Sequence, residues 1–226
     1  MSTPKLLIIS GKKGAGKDTM APLIIEQLGI QNAVHMSCAD PLKDVVDEFI
    51  SDIRDCDTRA EAVTAVRVVD PDIPDDFARD LVDILYDPVH EDPNEHSRSH
   101  SHAAVRALQL YGTEFRRAQD PDYWVRIAVR RAAKAIDANQ FPYFTDARFP
   151  NEVKGLSGIG GLTIRLDVNP EEQARRLRER DGRLPRPDEL SHSSETSLDD
   201  YTGFDIRVET DGVDTTLQRI MSALRS

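Results

Sequence analysis

Gly11-Lys12-Lys13-Gly14-Ala15-Gly16-Lys17 matches the spacing G-x-x-x-x-G-K. Before it stands Lys5-Leu6-Leu7-Ile8-Ile9-Ser10, an apolar run rich in branched residues. Such a run suits a strand buried on both faces of a parallel sheet. After it comes a helical pattern from Lys17 to Leu28, closed by Gly29 and carrying Pro22 inside it. Strand, glycine loop and helix in this order predict a phosphate-binding loop. Glycines let the backbone curl until several N–H groups point at one anion. The helix presents its positive end to the same anion, and Lys17 adds a full charge for the β- and γ-phosphates. The residue after Lys17 is Asp18, where Ser or Thr usually ligates magnesium, and Thr19 follows. Either Thr19 takes over, or Asp18 contacts Mg²⁺ directly or through water. Asp18 is also well placed simply to complement the helix N-terminus.

Outward from the loop, strands alternate with helices. Ala33–Cys38, Phe141–Thr145, Leu162–Val168 and Asp205–Glu209 read as strands. Pro41–Ile50, His102–Arg117, Asp122–Ala138, Asn169–Arg180 and Val213–Leu224 read as helices. This alternation predicts an α/β fold, a parallel sheet flanked by helices. We expect a single domain over 1–226, with a helical insertion at 51–102 and a lid at 171–190. The lid expectation rests on six arginines, among them Arg175, Arg176, Arg183 and Arg186, with Gly182, Pro185 and Pro187 as a hinge. Six acids balance them, so a solvated, ion-paired helix is the plainer alternative.

The net charge of −11 argues against a broad nucleic-acid-binding surface. Residues 51–102 carry 14 acidic and 5 basic side chains, a net −9, so the remainder can still hold a basic pocket. Within that segment we expect helices at Thr58–Val69 and Asp75–Tyr86, with Val63, Val66, Phe77, Leu81 and Leu85 turned inward. Four of the six histidines fall between His90 and His102, in a polar stretch that reads as a solvated, mobile tip rather than a metal site. Cys38 and Cys56 form no CxxC pair, and the longest apolar run is far too short to span a bilayer. A cytoplasmic protein without a signal segment is the expectation, host cytoplasm if phage-encoded. A homodimer is left open.

Several blocks together resemble the bacteriophage deoxynucleoside monophosphate (dNMP) kinases. They are Gly-Lys-Lys-Gly-Ala-Gly-Lys-Asp-Thr at 11–19 and Ala39-Asp40-Pro41-Leu42-Lys43. Arg106-Ala107-Leu108-Gln109-Leu110-Tyr111-Gly112-Thr113-Glu114 follows, then Tyr123-Trp124-Val125. Next come Thr145-Asp146-Ala147-Arg148-Phe149-Pro150-Asn151-Glu152 and His192-Ser193-Ser194-Glu195. Phe204-Asp205-Ile206 and Asp211-Gly212 close the series. The blocks keep the family's order and span most of the chain; only 51–102 has no clear counterpart. The resemblance implies a P-loop kinase fold, transfer of the γ-phosphoryl of ATP to a dNMP, and a requirement for Mg²⁺. It implies ATP contacts at Gly11, Lys13, Gly14, Ala15, Gly16, Lys17, Asp18 and Thr19. It implies an acceptor site of Lys43, Arg106, Trp124, Asp146, Arg148 and Glu152. Thr210 stands where the family often has Asn, which bears on donor-base selectivity if that segment lines the base pocket.

Chemistry supports the same choice of residues. A monophosphate acceptor already carries its nucleophilic oxygen, so the protein must join two anions and stabilise spread negative charge. Lys17 serves from the loop; Lys43, Arg106 and Arg148 are candidate cations on the acceptor side. Arg148 follows a strand's carboxyl end, where α/β folds bind ligands. Asp146, on the same strand end, has four readings: a water-mediated Mg²⁺ contact, a sugar acceptor, a partner for Arg148, or a helix cap. Glu152 is a support for an arginine or ribose, or a surface helix residue. Trp124 is either a core residue on the stripe with Ile127, Ala128 and Ala132, or a stacking surface for a base. Two other functions remain open. One is a P-loop kinase of the dephospho-coenzyme A or phosphomevalonate type. The other, weaker for want of an Asn-Lys-x-Asp signature, is a nucleotide-dependent switch.

Overall fold

The computed structural model describes residues 4–91, 102–182 and 193–225. Of the polar tip expected at His90–His102, residues 92–101 lie outside the described residues, as does the second half of the expected lid, 183–190; His90, Glu91 and His102 belong to helices. The chain divides into two compact units, one of residues up to Cys38 and from Val125 on, the other Ala39–Trp124.

The first unit is α/β. Its sheet has the strands β1 (Leu6–Gly11), β2 (Ala33–His35), β3 (Phe141–Phe144), β4 (Gly161–Asp167) and β5 (Ile206–Glu209), in the order β2-β3-β1-β4-β5. Every pairing is parallel. β1 is therefore central, and Leu6 to Ile9 are fully buried. Alternation along it feeds two cores. Leu7 and Ile9 pack with Ile24, Ile164, Leu166 and Ile220, on the side of α1 (Lys17–Gln27) and the last helix, Val213–Arg225. Leu6 and Ile8 pack with Ala132, Phe144, Val153 and Leu156, on the side of α6 (Tyr123–Asp137) and α7 (Pro150–Ser157). Helices on both faces are what an all-parallel sheet requires. This architecture is consistent with the P-loop kinase-type fold expected from the sequence.

The second unit is helical: α2 (Asp40–Arg54), α3 (Arg59–Val69), α4 (Asp75–Glu91), α5 (His102–Gln109) and a π-helical stretch, Leu110–Arg117. The insertion expected at 51–102 is thus only the middle of a larger unit. The reason is packing: α2 and α5 pack against α3 and α4 rather than standing apart. Thr58 caps α3, accepting from the Glu61 N–H, while Glu61 accepts from the Thr58 N–H. Val66, Leu81 and Leu85 are buried as expected, and Phe77 lies 4.8 Å from the Phe115 ring.

The single helix expected over His102–Arg117 changes its winding at Leu110. Wider π turns bring residues five apart onto one side, here Tyr111 and Arg116, both buried with Phe115. Gly112, within the π stretch, lets the Leu42 side chain of α2 approach, since a Cβ there would clash with it. No described helix is long and apolar enough to cross a membrane.

Candidate active site

β1 runs into the glycine loop, and the loop into α1. Gly16 is the N-cap of α1 in a left-handed conformation, φ 87°, which a side chain would strain. The Ala15 N–H bonds the Lys12 carbonyl at 3.0 Å, which closes the curl. Lys17 is folded into the loop, its Nζ donating to the carbonyls of Gly11 at 2.7 Å and Lys12 at 3.1 Å. Asp18 and Thr19 are exposed on the first turn of α1. Among the described residues no group of three or more His, Cys, Asp or Glu gathers to hold a metal. One or two protein oxygens plus phosphate oxygens and water are, however, the usual company of Mg²⁺. Asp18 and Thr19 fit that pattern.

Burial, and secondly the nearby Arg148 charge, lower the Lys17 ammonium from 10.5 to about 8. A lysine held down this way makes the unfolded chain bind more protons than the folded one between about pH 8 and 10.5. Stability should therefore rise with pH across that window in phosphate-free buffer. A Lys17→Met variant should lack this rise, and urea titrations of both proteins at pH 7.5 and 10 check it.

Charged side chains of both signs surround the loop. The Lys13 N–H donates to Glu195 Oε2 at 2.8 Å, and Arg148 Nη1 bonds the other oxygen of the same carboxylate. Arg165, buried on β4, donates to Ser10 Oγ at 3.1 Å and to Asp199 Oδ1 at 3.0 Å. Asp199 also pairs with Lys12 Nζ at 2.8 Å. The stretch holding Glu195 and Asp199 is thereby fastened to the loop at two points. Glu195 belongs to the short helix α9 (Ser193–Thr196).

Residues 171–182 are the described part of the expected lid. All but Gly182 belong to α8 (Pro170–Asp181), which packs on the loop. Leu177 is buried, and Gln173 Nε2 donates to the Lys13 carbonyl at 2.8 Å. Arg176 reaches the carbonyls of Gly14 and Thr210, each at 3.3 Å. Arg175 and Arg176 both bond Glu172 and hold its carboxyl down to about 2. Between α8, the loop and the segment Thr210–Val213 lies a cavity of about 350 Å³, within the range of nucleotide-sized pockets. Ala15, Gly16 and Thr19 line it from the loop side, Arg176 and Thr210 from the other. The stretch carrying Thr210 thus borders the loop cavity. The last helix, α10 (Val213–Arg225), starts at its rim.

The acceptor residues divide between the units. Arg148 and Glu152 belong together in the first: Glu152 is buried, and its Oε2 accepts from the N–H groups of Arg148 at 2.8 Å and Phe149 at 3.1 Å. Glu152 is therefore not a surface residue; it fixes the turn that presents Arg148. Asp146 accepts from Ser37 Oγ at 2.5 Å and from the Cys38 N–H at 3.0 Å, tying the end of β3 to the exit of β2. Phe149, not Asp146, is the N-cap of α7.

Lys43, Arg106 and Trp124 lie in the second unit. Lys43 is 4.0 Å from Asp40, and Arg106 pairs with Glu114 at 2.9 Å, both in solvent. Trp124 is 1% exposed, its Nε1–H donates to the Gly112 carbonyl, and Tyr111 meets its ring edge-on. Of its two readings the structure bears the core one, since a base stacks only on an exposed ring face.

Glu195, Asp199 and Arg165 had no assigned role in the sequence. Arg165 left a signal, an arginine in the middle of a strand, Leu162–Val168, that should be buried on both faces. Glu195 closes one of the sequence blocks quoted above, but its partner was hidden, because 182 residues separate it from Lys13.

No protein-family model matches the sequence, and a search of curated proteins found no match. Among solved structures, TT1252 from Thermus thermophilus is similar to this chain at 19% identity, covering 99% of this chain and 97% of that one with a TM-score of 0.49. That likeness carries no functional argument.

Proposed function

We propose that the protein transfers the γ-phosphoryl of ATP to a deoxynucleoside 5′-monophosphate. The observation that carries this reading is one carboxylate, Glu195, held by both the Lys13 N–H and Arg148, on a glycine loop that folds Lys17 into itself and whose Ala15 and Gly16 line a cavity of about 350 Å³. A switch needs the loop but no arginine dedicated to an incoming anion. The ordered sequence blocks supply the choice of a dNMP over other phosphorylated acceptors. In this reading the cavity takes the donor base and sugar, with Thr210 and Arg176 at its wall. The loop N–H groups and Lys17 hold the donor phosphates. Arg148, aimed by Glu152, neutralises charge between donor and acceptor, where a planar guanidinium binds two oxygens at once. Mg²⁺, held by Asp18 or Thr19, would screen the phosphate charges.

A coupled assay with ATP and a panel of nucleoside monophosphates tests the proposal. ADP release that depends on a dNMP supports it. Release without acceptor indicates an NTPase, and release only with other phosphorylated small molecules indicates the alternative kinase classes.

Arg148→Ala should lower kcat/KM for the acceptor by about 10²-fold, the scale expected for loss of one preorganised charge donor. ATP affinity should change much less. Titrating each nucleotide separately checks this, and a loss confined to ATP would move Arg148 to the donor side.

A further inference from the structure

Glu195 sits where an anion is wanted. Its side chain is only 9% exposed, and a carboxylate so withdrawn from water needs strong partners. It has two: the Lys13 N–H of the loop at 2.8 Å and the Arg148 guanidinium. Inward N–H groups of a glycine loop before a helix are suited to a phosphate oxygen. A carboxylate oxygen meets the same need with less charge. Its field also raises the proton affinity of Lys17, against the lowering by burial, as a phosphate there would do more strongly.

We propose that Glu195 is an internal competitor for the donor phosphates: its carboxylate holds the Lys13 N–H and Arg148, and a bound polyphosphate must displace it. The inference rests on the reading of the loop as the donor-phosphate site. Displacement releases Arg148 from its ion pair at the step when the donor arrives. Arg148 is then offered to the second anion only after the first has bound, which couples acceptor binding to donor binding. Asp199, paired with Lys12 and Arg165, keeps the segment attached while Glu195 turns away.

Competition has a sign that support does not. A carboxylate that merely braced the loop would weaken anion binding when removed; a competitor strengthens it. Isothermal titration of the full chain with inorganic pyrophosphate and with ATP, each with Mg²⁺, reads this directly. Glu195→Gln and Glu195→Ala should both bind roughly tenfold more tightly than the parent, a difference of about 1.4 kcal/mol. Glu195→Gln keeps the shape and an acceptor for the Lys13 N–H, so it answers if the alanine variant does not fold. Unchanged or weaker binding in the variants, with a parent that binds, overturns the competition and leaves the donor site standing. Binding by none of the three proteins overturns both.

Discussion

Lys17→Ala is expected to lower the kcat of phosphoryl transfer by about 10²–10³ while the protein stays folded. The side chain's described hydrogen bonds run to the carbonyls of Gly11 and Lys12, within the loop itself. Removing it therefore leaves the sheet and both cores untouched. Burial disfavours its charge, as the drop to about 8 records, so the folded protein loses little by giving it up. What is lost is a preorganised cation where γ-phosphate charge develops, in a site partly screened from water. Steady-state kinetics on protein whose circular dichroism matches the parent would decide. A near-normal kcat would remove Lys17 from the reaction and with it the main support for phosphoryl transfer.

The largest loss of stability is expected in the helical unit, from Asp70→Ala. Asp70 follows α3 as its C-cap, and its Oδ2 accepts from Tyr111 Oη at 2.6 Å and from Arg116 Nη2. The two side chains of the ion pair are 7% and 8% exposed. Arg116 also lies over the Tyr123 ring at 4.7 Å and the Phe115 ring at 5.0 Å, so it cannot leave for solvent without dismantling an aromatic cluster. Deleting the carboxylate leaves the buried guanidinium with two long contacts, to the Tyr111 hydroxyl at 3.5 Å and to the exposed Asp72 carboxylate at 3.8 Å, at a cost of about 3–5 kcal/mol. By contrast, breaking the solvent-exposed pair of Arg59 and Asp87 should cost less than about 1 kcal/mol. Urea unfolding of Asp70→Ala and Asp87→Ala, compared by midpoint at unchanged slope, checks both. Similar small losses would mean that Arg116 finds another partner.

The apolar run at 6–9, the glycine loop and the alternation that follows were enough to read an α/β chain with a parallel sheet. These features are local: strand burial, loop curvature and helix initiation each follow from residues within a turn or two of one another. The inward turning of Val66, Leu81 and Leu85 was legible for the same reason, as a period of one helix. The loop residues of the candidate site belong to this class. So does Arg148, placed by its position at a strand end.

Only the tertiary structure decided the rest, because the relevant partners are distant in the chain. The boundary of the helical unit moved out from 51–102 to 39–124 because α2 and α5 pack with the acidic helices, which no composition shift marks. The first half of the expected lid lines the loop cavity with Glu172, Arg175 and Arg176, and it is fastened to the loop by Leu177 and Gln173, residues an arginine count overlooks. Trp124 joined a core through Gly112 and Tyr111, although its helical stripe suited a cleft edge equally well. Glu152 was drawn inward by two backbone N–H groups. Glu195 shows the limit most clearly. Its block, 192–195, stood out in the sequence, but nothing there said what this one carboxylate among 40 acidic side chains would touch. Its meaning comes from the loop N–H and the guanidinium that the fold brings to it.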